Sequence, residues 1–120
     1  MRRKSRHQAI SKYLFLLVLL ISCSARAAGS WTLSASEWSR PRSGEAVLAM
    51  EPVAEAVRAW QAADAATGTS RLQLLYPGGE EGSLWAAELH DWLVALGVPP
   101  GAIEVVAGGD PGQLEIRLLN

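Results

Sequence analysis

The chain reads as a small α+β domain: a two-layer sandwich with two helices on one face of a small mixed sheet, in the order β-α-β-α-β-β. Three observations predict it. Residues 51–66 and 85–96 carry apolar side chains at helical spacing. Residues 71–76 and 113–119 alternate apolar and polar, as half-buried strands do. The second helical stretch stands between two strand-like runs, 71–76 and 102–107, which predicts a right-handed parallel crossover. Two helices and a sheet of this size are layers enough for one hydrophobic core. With 120 residues there is room for one domain at most.

The elements follow in order. "WTLSASEW" (Trp31 to Trp38) places Trp31, Leu33 and Ala35 on one face. Trp38 falls off that alternation, so the strand ends near Ser34. "SRPRSG" (Ser39 to Gly44) reads as a loop around Pro41. "EAVLAM" (Glu45 to Met50) suits either a helical turn or a short extended piece. The first helix runs from about Glu51 to Ala66. Pro52 fits its first turn, where a missing N–H costs nothing. Val53, Val57 and Trp60 form its apolar stripe, and Gly68 follows as a stop. "RLQLLY" (Arg71 to Tyr76) turns Leu72, Leu74 and Tyr76 inward. Leu75 interrupts its polar side, so a second layer is expected over part of that face.

"PGGEEGS" (Pro77 to Ser83) reads as a tight loop ending in a cap residue, Ser83. In the second helix Trp85, Leu89, Trp92 and Leu96 form a seam, with Leu93 beside them. Gly97 and Pro99-Pro100 end it. "AIEVVA" (Ala102 to Ala107), the turn "GGDPG" (Gly108 to Gly112) and "QLEIRLL" (Gln113 to Leu119) read as a closing hairpin. Of the five tryptophans, Trp60, Trp85 and Trp92 belong to helix stripes and so to the core. Trp31 and Trp38 suit either the sheet edge or a partner.

The first 27 residues have the layout of a secretory signal. Met1 to Lys12 is basic, and "YLFLLVLLIS" (Tyr13 to Ser22) is apolar and uncharged. Ten helical residues rise about 15 Å, half of a hydrocarbon core roughly 30 Å thick, so a lasting membrane span is not expected. Two processing sites are open. Ala25-Arg26-Ala27 predicts cleavage before Ala28 and a soluble periplasmic product. Leu20-Ile21-Ser22-Cys23 resembles a bacterial lipobox, which would lipidate Cys23, anchor the chain to membrane lipid and make it an outer-membrane lipoprotein. The reading is therefore residues 1–27 as signal, 28–44 as N-terminal strand and loop, and 45–120 as the α+β domain.

Beyond the leader stand five basic residues, all Arg, against all twelve acids, a formal charge near −7. Such a chain has no basic patch to grip a phosphate backbone, and nucleic acid is not an expected partner. It has no cysteine after Cys23, so no disulfide supports the fold in an oxidising compartment.

Reactive constellations are missing from the pattern. His90 stands alone beyond the leader, and no run has the donor spacing of a zinc or calcium site. Ser83 and His90 lie two helical turns apart, roughly 10 Å, too far for a nucleophile and its base. "YPGGEEG" lacks the Lys-Ser/Thr of a phosphate-binding loop, and its acids would repel phosphate. No catalytic, cofactor or metal residue is expected, and the chain reads as a non-enzyme. Candidate partner-binding residues are Trp31 and Trp38, which offer aromatic anchors, and Arg40 and Arg42, whose guanidinium groups can grip carboxylates. Glu80 and Glu81 at the "PGGEEG" loop complete the set.

Residues 71–108, "RLQLLYPGGEEGSLWAAELHDWLVALGVPPGAIEVVAG", resemble the central β-α-β of OmpA-like peptidoglycan-binding domains. The resemblance implies an OmpA-like topology. That family holds the diaminopimelate carboxylate with an Asp in the loop and an Arg on the helix. Aligned here, Gly79 stands at the first position and Trp85 near the second, so the ligand chemistry does not carry over. A second resemblance rests on "WTLSASEWSRPRSGE" (Trp31 to Glu45) with "YPGGEEGSLWAAEL" and "WLVALG". These are similar to small exported proteins of integrating conjugative elements, encoded among type IV secretion and pilus genes. That likeness implies an accessory role with envelope proteins of a secretion or pilus assembly as partners. The alternative is a degenerate OmpA-like cell-wall binding module.

Overall fold

The computed structural model describes residues 29–39 and 43–120. They form the expected α+β sandwich, with a four-stranded mixed sheet and four helices. In chain order the elements are β1 (Gly29–Ser34), α1 (Ala35–Trp38), α2 (Gly44–Leu48), α3 (Glu51–Thr67), β2 (Arg71–Tyr76), α4 (Glu80–Ala95), a single 3₁₀ turn (Pro100–Ala102), β3 (Ile103–Ala107) and β4 (Gln113–Leu119).

The sheet order is β1-β4-β2-β3. β4 runs antiparallel to both β1 and β2, and β2 and β3 are parallel. This corrects one expectation. β3 and β4 do not form a hairpin; β2 lies between them. The chain leaving β3 must cross the C-terminal end of β2 before it can enter β4. Gly108 and Gly109 make that crossing, both donating to the Tyr76 carbonyl at 3.1 and 3.0 Å. A Cβ on Gly109 would lie 3.2 Å from the Leu75 carbonyl carbon and the Tyr76 nitrogen, so a bare backbone suits this passage.

Alternation decides which strand residues meet the helices. Leu33, Leu72, Leu74, Leu114 and Ile116 are fully buried on one face, packed with Val53, Ala56, Leu89 and Leu93 of α3 and α4. Burying each of the larger of these side chains contributes about 1.5–3 kcal/mol. The opposite face carries Thr32, Glu115, Leu75 and Val106 in one cross-strand row, and Ser30, Arg117, Gln73 and Glu104 in the next. Leu75 is half-buried among these neighbours, and no second layer covers the face among the described residues.

α3 follows its sequence signals closely. Pro52 sits in its first turn, Val53, Ala56, Val57 and Trp60 are buried, and Gly68 ends it in the left-handed conformation. The buried indole of Trp60 donates to the Ser70 carbonyl at 2.9 Å, which fixes the helix end to the entry of β2. The Glu45 to Met50 stretch resolves as helix, α2, capped by Ser43 Oγ accepting from the Ala46 amide.

α4 departs from its expected start and seam. It begins at Glu80 after Gly79, three residues before the expected cap at Ser83. Its most buried residues are Gly82, Ala86, Leu89 and Leu93, while Trp85, Trp92 and Leu96 are half-buried along its flank. The small residues explain the rotation. A Cβ on Gly82 would collide with the Pro77 carbonyl oxygen, so only glycine lets the first turn lie this close. Ala86 continues that close face, and the bulky indoles are displaced to the side. There Trp92 lies against α2, its ring 3.4 Å from where a Gly44 Cβ would be.

Candidate interaction surface

The two N-terminal tryptophans separate sharply. Trp31, on β1, is half-buried against the core, and its indole nitrogen donates to Glu55 Oε2 at 3.1 Å. Trp38 is 0 % exposed and is among the largest fully buried side chains of the domain. It therefore cannot serve as an exposed partner anchor, which corrects that expectation. The reason is local. Ser34 caps α1, its Oγ accepting from the Glu37 amide, and this one turn of helix swings the indole inward. The segment from Gly29 to Trp38 thus belongs to the same core as the helices.

Arg40, Arg42 and Cys23 lie outside the described residues. Glu80 and Glu81 are exposed, and they stand in the first turn of α4 rather than in a loop. Negative charge at a helix N-terminus is favourable, so a local electrostatic role accounts for their placement. Among the described candidates, Trp31 and Trp38 belong to the core packing and Glu80 and Glu81 to the exposed start of α4.

Other polar groups form small local sets. On the open sheet face Glu115 accepts from Ser30 Oγ at 2.7 Å and from Arg117 Nε and Nη2 at 2.9 and 3.3 Å. The hydrogen bonds from Arg117, then from Ser30, hold the Glu115 carboxyl below the usual carboxylate range, and the same pairing holds the Arg117 guanidinium above its own. Arg71 approaches Glu104 at 4.0 Å across the β2–β3 pair. His90 Nδ1 lies 3.2 Å from Asp91 Oδ1, a contact between chain neighbours at the helix surface. Among the described residues no group of three or more His, Cys, Asp or Glu could hold a metal ion. No helix among them is long and apolar enough to cross a membrane.

The exposed apolar chemistry lies elsewhere. Leu48 on α2, Leu84 on the outer side of α4 and Val105 on β3 are 55 %, 67 % and 43 % exposed. Val105 differs from the other two because it is the middle residue of an edge strand. The expected hairpin hid this: a β3 paired to β4 would have had no free edge on that side. The signal available in the sequence was "IEVVA" itself, a short β-branched run without proline or lysine.

No protein-family model matches the chain, and no curated protein matches it.

Proposed function

We propose that the protein is exported through its leader and acts in the periplasm as a non-enzymatic accessory of a conjugative transfer apparatus. Its mechanism is protein–protein recognition, with envelope proteins of a type IV secretion or pilus assembly as partners. One observation carries the recognition part of this reading: the domain exposes apolar chemistry on an open sheet edge, with Val105 at its centre 43 % exposed. The leader supplies the compartment. The likeness of Trp31 to Glu45 and of Tyr76 to Gly97 to small exported proteins of conjugative elements supplies the context.

Crosslinking in the intact envelope followed by purification tests it. Recovery of secretion or pilus components is the expected result. Recovery of none, or a protein retained in the cytosol with its amino terminus uncut, overturns it. Binding to purified sacculi that survives moderate salt would favour the cell-wall module instead, although Gly79 and Trp85 stand where that family keeps its ligand groups. The intact mass of the processed chain decides between cleavage before Ala28 and lipidation of Cys23, because acyl chains add a large discrete increment.

A further inference from the structure

We infer that the outer edge of β3 is the recognition element, and that it takes an extended, basic segment of a partner protein as a fifth strand. This deepens the protein-recognition reading and rests on it.

The backbone sets the geometry. Gly108 donates to the Tyr76 carbonyl, toward β2. Successive residues of a strand in a parallel ladder direct their hydrogen-bonding groups to alternate sides. Val106 and Glu104 therefore bond toward β2, while Val105 and Ala107 turn both N–H and C=O to the open side. The Ile103 amide is already taken by the Pro100 carbonyl, so the free series begins at the Ile103 C=O. Both Val105 and Ala107 are exposed. An incoming strand finds a row of backbone groups that no strand pairs among the described residues, carried by small apolar residues, as in strand-addition complexes.

Natural edges are usually blunted by lysine, proline, a bulge or a covering element. β3 has no proline, no lysine and an unbroken register with β2 from Ile103 to Ala107. Its one charged residue is Glu104, which makes a long, exposed ion pair with Arg71 at 4.0 Å.

Charge chooses the occupant. The described residues carry all twelve acids of the chain against Arg58, Arg71 and Arg117. A second copy would bring the same excess of negative charge to the edge. On the open sheet face the row Ser30, Arg117, Gln73, Glu104 ends at Glu104, so the next residue in that row belongs to the added strand and faces a carboxylate. Opposite-charge cross-strand neighbours are favourable and like charges are not. Val105 lies on the other face, so the segment that fits has a Lys or Arg facing Glu104 and apolar residues in the row of Val105.

The test uses protein purified as the expressing cell processes it, labelled for NMR. The probe is a seven-residue peptide alternating Val and Lys; the control replaces each Lys with Glu. The expected result is that the basic peptide shifts the amides of residues 103–107, slows exchange of the Val105 and Ala107 amides at least tenfold, and leaves β1 unchanged. The variant Glu104→Lys, a surface change, should reverse the preference toward the acidic peptide. Shifts confined to β1 or to the Trp85 and Trp92 flank overturn the inference, as does equal binding of both peptides. Sedimentation as a dimer with Val105 already protected names a second copy as occupant and also overturns it. If β3 is silent while envelope crosslinking recovers secretion or pilus components, the edge assignment falls and the functional reading stands. If β3 binds the basic peptide and crosslinking recovers none, the functional reading falls.

Discussion

The sheet has two edges, and they are built differently. β1 pairs with β4 from Gly29 to Ser34, and just past it the Ala35 amide donates to the Gly112 carbonyl at 2.8 Å, so Leu33 and Trp31 bond toward β4 as well. Its outward backbone groups therefore belong to Ser30, Thr32 and Ser34, small polar residues compatible with water. Trp31 ties the strand to α3 through Glu55, and Ser34 turns it at once into α1. β3 presents Val105 and Ala107 in the same positions and continues into a glycine-lined crossing. Both edges turn backbone groups outward; on β1 small polar residues carry them, and on β3 an exposed valine and an exposed alanine do. Which residues carry an edge strand's outward amides is thus set by its register and cannot be read from composition.

The difference can be attacked from its strongest side first. Leu33→Ala on β1 removes a fully buried side chain and should cost about 2–5 kcal/mol in urea unfolding. Val105→Thr on β3 should stay within roughly 0.5 kcal/mol, since surface changes away from packed features are small. A loss at Val105 equal to that at Leu33 would mean that β3 is as tightly built in as β1. Next in size is Ser34→Ala, which deletes the cap that turns Trp38 inward and should cost about 1 kcal/mol. Its near-ultraviolet circular dichroism should report a loosened indole. Trp31→Phe keeps one aromatic ring but deletes the bond to Glu55 and trims the packing, for a loss of about 1 kcal/mol. A larger loss, matched by Glu55→Gln, would assign it to this contact; a larger loss without that match would assign it to the indole packing.

The smallest effect is a pH dependence beside the β1 edge. Glu115 titrates lower in the folded chain than in the unfolded one, chiefly through Arg117 and then Ser30. Its contribution to stability is therefore complete above the unfolded carboxylate range and is lost as pH falls through the folded value. Glu115→Gln should flatten the acid limb of a stability-against-pH curve measured by urea unfolding. An unchanged limb would remove the Ser30–Glu115–Arg117 set from the account.

Most elements were legible because they bury one face against one layer. The strands at residues 71–76 and 113–119 keep their bounds and bury Leu72, Leu74, Leu114, Ile116 and Leu118 as expected, while Tyr76 is only half-buried; α3 matches its stripe, its proline and its glycine stop. What failed was long-range. "GGDPG" after a strand reads as a hairpin turn because nothing local reports that β2 will occupy the space between. The glycines that signal a turn are needed instead for passage over Tyr76. In α4 the large apolar residues suggest a seam that the structure turns aside, because close approach selects Gly82 and Ala86 for the innermost face. The burial of Trp38 has no signal in the sequence, because a four-residue helix has no periodicity to read. The candidate surface carries the same ambiguity, since residue types that anchor partners also anchor cores. The exposed edge became visible only with the strand order.

The most direct measurement places a photo-crosslinking amino acid at position 105 in one protein and at position 32 in another, each expressed with its leader and irradiated in the intact envelope. Crosslinks to a secretion or pilus component through position 105 and not through position 32, competed away by the basic Val/Lys peptide, are the result predicted here. Crosslinks through position 32 alone, or at both positions without competition, would contradict it.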